Sequence, residues 1–383
     1  MTTVFTGPAR PYAGGDPWAD HRAPDPADMP FAHLPDLADR RVGGSVVAAS
    51  DEFFAERENL LLPGRPVFDP ETFGRKGKVM DGWETRRRRG ASVGAPHPAE
   101  GDHDWALVRL GVPGVVRGLV VDTAHFRGNH PHAVGVHGTA DPDASPDAPV
   151  DGVTWHELVP RTEIGGHAAH AFAVAVAVAG ERRLTHLRLC QYPDGGVARL
   201  RVHGEAVPDP AWLAALGTFD LIALEHGGIA EDASDRFYSP PVHTIHPGRP
   251  RAMDEGWETR RRRDAGHDWL RYRLAGRGVI RAVEVDTGTF KGNAPGWVAL
   301  SVRDAETEGG AGNGEERWHE VMPRTPLRPD AVHRFVLDAA PPATHARLDV
   351  FPDGGIGRLR LHGSLTDEGA RRLARRFSEL GGG

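Results

Sequence analysis

The sequence predicts an all-β chain: a tandem duplication of one β-sandwich, each copy followed by a short helix. Three observations predict it. The stretch Met80-Asp81-Gly82-Trp83-Glu84-Thr85-Arg86-Arg87-Arg88-Arg89 recurs as Met253-Asp254-Glu255-Gly256-Trp257-Glu258-Thr259-Arg260-Arg261-Arg262-Arg263. Matched blocks flank both copies in the same order, and their spacing shrinks along the chain without ever reversing, which marks two long copies rather than a solenoid of short ones. Within a copy, apolar residues alternate with a period of two and not with the helical period.

In chain order, residues 1–35 hold prolines scattered among Asp and Ala, which predicts a poorly ordered arm. The first repeat spans 36–208 and the second 219–364. Asp36-Leu37 matches Asp220-Leu221, Ala49-Ser50-Asp51 matches Ala233-Ser234-Asp235, and Pro63-Gly64-Arg65-Pro66 matches Pro247-Gly248-Arg249-Pro250. Further on, His103-Asp104-Trp105 matches His267-Asp268-Trp269, and Pro193-Asp194-Gly195-Gly196 matches Pro352-Asp353-Gly354-Gly355. The segments Val115 to Val121, Ala133 to His137, Ala171 to Val178, His186 to Cys190 and Ala198 to His203 read as short strands between Gly, Pro and Asp. Trp83 and Trp105 read as core aromatics. Asp209-Pro210 opens a linker helix over 209–218, stopped at Gly217, and the spacing of Ala370, Leu373, Ala374, Phe377 and Leu380 predicts a C-terminal helix within 365–383. These helices are expected to cover a sheet edge or to bridge subunits.

Composition sets bounds. The net charge of −7 disfavours nucleic acid and anionic membranes as partners, and the arginine runs lack the interleaved aromatics of a strand-binding groove. No apolar run is long enough to span a bilayer, and no secretory signal pattern opens the chain. The single Cys190 excludes an internal disulfide framework, which fits a cytoplasmic protein. No cofactor is required by any motif. The 21 histidines leave a divalent-metal site open without pointing to one, since His130, His132 and His137 lack ligand spacing.

The chemistry-bearing residues sit in two stretches. If the signature is extended, Trp83, Thr85, Arg87 and Arg89 share one face, and Glu84, Arg86 and Arg88 the other. The second face is either a solvated ion-pair ladder or a carboxylate-binding patch, because guanidinium forks match planar anions. Glu258 and Arg260 are its counterparts in the second copy. The other stretch, Asp122 to Asn129, ends in a Gly-Asn turn that is either structural or a hydrogen-bonding site for amide and ureido groups through Asp122 and Asn129. His125 has no counterpart, since Thr289 stands there; beside Asp122 and Arg127 it is a general-base candidate.

At these residues the chain resembles the allantoicases. The resemblance runs from about Asp36 to Ser364. It rests on Ala49-Ser50-Asp51-Glu52-Phe53-Phe54, Asn59-Leu60-Leu61, the Asp-Gly-Trp-Glu-Thr-Arg signature, His103-Asp104-Trp105, and Val121-Asp122-Thr123-Ala124-His125-Phe126-Arg127-Gly128-Asn129. It implies two jelly-roll domains of the galactose-binding-like type, a homo-oligomer, and hydrolysis of allantoate to (S)-ureidoglycolate and urea in purine breakdown. On that reading Glu84, Asp122 and His125 are candidate catalytic residues, and Arg86, Arg88, Arg127, Asn129, Glu258 and Arg260 candidate substrate-binding ones. The second copy departs from the pattern at Asp254-Glu255-Gly256 and at His243-Thr244-Ile245, which points to the first as the working copy. The rival reading is a non-catalytic tandem jelly roll that binds carbohydrate or a small anion.

Overall fold

The structure, a computed structural model, describes residues 1–140, 153–175, 180–307 and 316–381. The chain divides into two compact units, Met1–Ala32 with Asp36–Glu205, and His33–Pro35 with Ala206–Gly383.

In the first unit the strands are β1 (Ser45–Ala49), a small hairpin of β2 (Phe73–Gly74) and β3 (Gly77–Lys78), β4 (Trp83–Glu84), β5 (Asp104–Asp122), β6 (Ala133–Thr139), β7 (His156–Glu163), β8 (Ala169–Ala173), β9 (Leu184–Tyr192), β10 (Gly196–Val197) and β11 (Arg199–Ala206). The long β5 organises them. Its first part, Asp104 to Arg109, pairs with β9, and β6 and β7 follow outward; Ala106 to Arg109 also pairs with β1. Its last part, Gly118 to Asp122, pairs with β8, and β11 also joins β5. The register breaks between Arg109 and Gly114, where the Gly111-Val112-Pro113-Gly114 run bends the strand and Pro113 has no N–H to give a ladder. One strand therefore serves both layers of a sandwich. The predicted strand Ala171 to Val178 appears as β8, and its end, residues 176–178, lies outside the described residues.

The second unit repeats this with β12 (Phe219–Asp220), β13 (Ile229–Ala233), β14 (Trp257–Glu258), β15 (Asp268–Asp286), β16 (Trp297–Arg303), β17 (His319–Pro326), β18 (Val332–Val336), β19 (Ala343–Phe351), β20 (Gly355–Ile356) and β21 (Arg358–Leu365). Here β15 plays the part of β5, pairing β19 and β13 through Leu270 to Arg273 and β18 and β21 through Ala282 to Asp286. The duplicated sandwich is thus borne out, with the β2–β3 hairpin present in the first unit alone and β12 answered there by the single bridge of Asp36 to His203. Both helices form. Asp209 caps Pro210–Leu216 by accepting from the Ala211 N–H, and Thr366 caps Asp367–Glu379 by accepting from that of Gly369. The C-terminal helix lies on β15 and β21, so it covers a sheet. Among the described residues no helix is long and apolar enough to cross a membrane.

Trp83 and Trp257 are fully buried, and each indole N–H donates to a backbone carbonyl, of Asp51 and Asp235. Phe126 and Phe290 fill the matching places beside them, and each requires a glycine opposite: a Cβ on Gly196 or Gly355 would sit 2.0 Å from the ring. Two expectations are corrected. Trp105 is only half-buried; the strand alternates so that Asp104 points inward, held by Ser50 and Arg88. The N-terminal arm is ordered. Thr3 pairs with Ala171 on the edge of β8, Arg22 bridges Ala168, and Trp18 lies against His125 and the Met80, Ala124, Phe126 and Ala198 cluster. Proline-rich composition argued for disorder, but the open edge of β8 supplies the backbone partners that the arm lacks by itself.

Candidate functional site

Two of the signature arginines of the first repeat, Arg86 and Arg88, are held by acids. Only Trp83 and Glu84 join a ladder, through Val197 and Gly196 of β10. Trp83 and Thr85 then face inward as alternation requires, while Arg87 and Arg89 are exposed. Asp51 receives both the backbone N–H and Nε of Arg86, at 2.6 and 3.0 Å. Burial pushes the Asp51 carboxyl up, but these bonds and the Arg86 charge outweigh it and hold it below the usual carboxylate range. Arg88 donates its backbone N–H to Asp194 and its guanidinium to Asp104 at 2.7 Å. The second repeat does the same with Arg260 on Asp235 and Arg262 on Asp353 and Asp268. Asn129 donates to Glu84 at 2.8 Å, and Asn293 to Glu258 at 2.6 Å. Burial raises the Glu84 pKa, against the Asn129 bond and the Arg87 charge.

The repeats part company at the end of β5. Asp122 accepts from the Ala124 N–H at 2.8 Å, and Asp286 from that of Gly288 at 2.6 Å, so both carboxylates close the same turn. Beyond that, Asp286 is taken by Arg249, with Nε at 3.1 Å and Nη2 at 3.5 Å. Asp122 instead meets His21 Nε2 at 3.1 Å, delivered by the N-terminal arm. The next positions share a left-handed backbone: φ is 67° at His125 and 75° at Thr289, 52° at His167 and 50° at Asp330. In the first repeat the His125 N–H donates to His167 Nδ1 at 2.9 Å, and in the second the Thr289 N–H donates to Asp330 Oδ1 at 3.0 Å. One backbone therefore carries a histidine cluster in one copy and a Thr–Asp pair in the other.

His21, His125 and His167 pack around Trp18, with ring centres 4.6 Å apart for Trp18–His125 and 5.1 Å for His21–His167. Phe68 stacks on His125. Burial depresses the His125 pKa, against the Pro66 carbonyl and the Asp122 charge, and burial with the nearby Arg127 charge takes His167 down to about 4. Both rings are therefore neutral near pH 7. Asp20 joins His167 Nε2 at 3.4 Å and grips both Arg127 Nη atoms at 2.6 Å; the Arg127 bonds hold its carboxyl at about 2. On the outer side of this clasp lies a cavity of about 430 Å3, lined by arm residues including Arg10, Tyr12 and Asp20, with Arg127 and Gly166 opposite. Among the described residues no three His, Cys, Asp or Glu side chains converge in a metal-holding arrangement.

This geometry has relatives. The sequence pattern of the allantoicase repeat matches residues 35–207 and again 219–366. The chain belongs to the allantoicase family. It is 63% identical over 380 residues to a probable allantoicase of Streptomyces avermitilis, covering 99% of this chain and 97% of that one. Against a probable allantoicase of Nocardia farcinica it is 49% identical over 337 residues, covering 88% and 95%. The crystal structure of the Saccharomyces cerevisiae allantoicase matches 86% of this chain and 92% of its own, with a TM-score of 0.71 at 31% identity. The family sets aside the carbohydrate-binding alternative.

Within this allantoicase fold the candidate residues scatter over two places. Asp122 and His125 come together, joined by His21 and His167. Glu84 and Asn129 hold each other, and no hydrogen bond or ion pair among the described residues joins Glu84 to Asp122 or His125. Arg86, Arg88 and Arg260 are each paired with an acid of their own repeat, and Glu258 accepts from Asn293. Arg127 is a clasp on the arm through Asp20. His21, Trp18 and Asp20 escaped the sequence reading because they lie outside the duplication. His167 could have been found: it breaks the repeat as His125 does, against Asp330.

Proposed function

We propose that this allantoicase hydrolyses allantoate to (S)-ureidoglycolate and urea, and that the first repeat alone carries the working centre. The exchange at the end of β5 supports the second statement: Asp122 faces His21, whereas Asp286 is closed by Arg249. The reaction replaces a C–N bond at the central carbon by a C–O bond. Water gives up one proton, and the departing urea nitrogen takes one. His125, neutral in its apolar seat beside Phe68 and Trp18, is the acceptor of the water proton. His21, oriented by Asp122, is the group that returns a proton to urea. The clasp of Asp20 on Arg127 keeps the arm, and with it His21, in place.

The test is urea release from allantoate by the purified protein, for the native chain and for Asp122→Asn and Asp286→Asn. Asparagine keeps the Oδ1 that closes each turn. The native chain and Asp286→Asn release urea at comparable rates, and Asp122→Asn falls by two orders of magnitude or more, on the order expected for a lost acid–base partner. No urea from folded native protein sinks the activity; an active Asp122→Asn sinks the assignment to the first repeat.

A further inference from the structure

Arg65 and Arg249 are one residue of the repeat, the arginine of Pro63-Gly64-Arg65-Pro66 and Pro247-Gly248-Arg249-Pro250. Arg249 reaches across to the carboxylate of Asp286. Asp122 is the matching carboxylate of the first repeat, and among the described residues Arg65 makes no ion pair with it. His21 occupies the Oδ1 of Asp122 at 3.1 Å, and the Arg65 guanidinium lies over the indole of Trp18, 3.9 Å from the ring centre. No acid among the described residues pairs with Arg65, while the signature arginines Arg86 and Arg88 and the clasp Arg127 each have one. A contact with an aromatic face uses none of the five N–H donors of a guanidinium, so the fork stays available to an anion.

The second repeat measures the reach. An arginine at this place touches the carboxylate at the end of the long strand, so the Arg65 fork has the reach to meet a ligand beside Asp122. We propose that Arg65 binds the carboxylate of the substrate at the first-repeat site, which it is free to do because its guanidinium rests on Trp18 rather than on Asp122. The inference rests on the first repeat being the working centre. It assigns Trp18 as the resting place of the fork and makes the N-terminal arm part of substrate recognition, since both Trp18 and His21 come from it. Bidentate pairing with a planar carboxylate is what the guanidinium fork does best and what an ammonium cannot reproduce.

The experiment compares Arg65→Ala, Arg65→Lys and Arg249→Ala on allantoate and on its methyl ester, which lacks the charge. For Arg65→Ala the KM for allantoate rises by roughly 10- to 150-fold, the range for a lost hydrogen-bonded charge contact, with kcat little changed. The native preference for the acid over the ester collapses toward one. The melting temperature stays put, because Arg65 is exposed and pairs with no acid among the described residues, and Arg65→Lys recovers only part of the loss. Arg249→Ala keeps the native KM. An Arg65→Ala protein with native KM, or one that loses acid and ester turnover equally, overturns the proposal. Asp122→Asn separates the two levels: if it is inactive while Arg65→Ala binds normally, the anchor alone fails; if it is fully active, the first-repeat reading fails with it.

Discussion

Arg88→Ala tests whether the signature arginines hold the fold or the substrate. Asp104 is 4% exposed in its side chain, and it accepts from Arg88 Nε at 3.1 Å, Arg88 Nη2 at 2.7 Å and Ser50 Oγ at 3.0 Å. Removing one partner of a buried ion pair costs about 3–5 kcal/mol. Arg88 is itself 36% exposed and the Ser50 bond survives, which brings the expected cost to about 2 kcal/mol. At 2–4 °C per kcal/mol for a domain of this size, the first repeat should melt about 4–8 °C lower. Arg86→Ala should cost well under about 1 kcal/mol, because its side chain is 67% exposed and its backbone N–H keeps Asp51 satisfied. Adding Asp104→Asn to Arg88→Ala removes the orphaned charge and should recover most of the loss. The assay is a urea denaturation curve beside kcat/KM for each variant. A stable Arg88→Ala that loses kcat/KM tenfold would refute the reasoning and return Arg88 to the substrate.

Two other outcomes follow from the histidine cluster and its clasp. His167 is depressed from 6.5 to about 4 by burial first and the Arg127 charge second, so the fold favours its neutral form. That contribution is complete above pH 6.5 and is lost as pH falls toward about 4; the denaturation midpoint of the first repeat should fall through that window, and less steeply in His167→Asn, where an amide oxygen replaces Nδ1 as Asp330 does in the second repeat. Asp20 is depressed from 3.8 to about 2, chiefly by its bonds to Arg127, so its clasp is intact above pH 3.8 and lost as pH falls toward about 2. Asp20→Asn should imitate that loss at neutral pH, with faster hydrogen exchange at residues 16–22 and unchanged exchange in β5; unchanged exchange in the arm would show that Asp20 does not hold it.

The duplication made the fold legible. A chain that contains its own aligned copy shows which residues recur, and Trp83, read as core, is buried together with its copy Trp257. What alternation could not supply was the partner of each polar residue. The two-residue β4 ends before Arg86, and the acids that take Arg86 and Arg88 come from Asp51 and from the start of β5, contacts made only in three dimensions. The same limit misplaced Trp105, whose neighbour Asp104 is drawn inward by Arg88. The arm was illegible for a different reason: it has no copy and no period. Its prolines suppress regular structure but do not prevent pairing with an open strand edge, as Thr3 does with Ala171.

Backbone strain does not by itself mark the working copy. A left-handed conformation outside glycine costs on the order of 1–3 kcal/mol, and more for a β-branched residue such as Thr289. Yet the second repeat keeps it at both positions without the histidines. The same clasp enforces it in each copy: Thr123 Oγ1 donates to the carbonyls of Gly165 and Ala168, and Thr287 Oγ1 to those of Arg328 and Ala331. The strain therefore belongs to the scaffold, which presents two side chains from adjoining loops at fixed positions. Chemistry enters through what those positions carry. In the second repeat Asp330 accepts from the Thr289 N–H and Asp286 is paired with Arg249, and no histidine stands at either left-handed position. The first repeat carries His125 and His167 at those positions, and the arm that delivers His21 also brings Trp18, on which the Arg65 guanidinium rests.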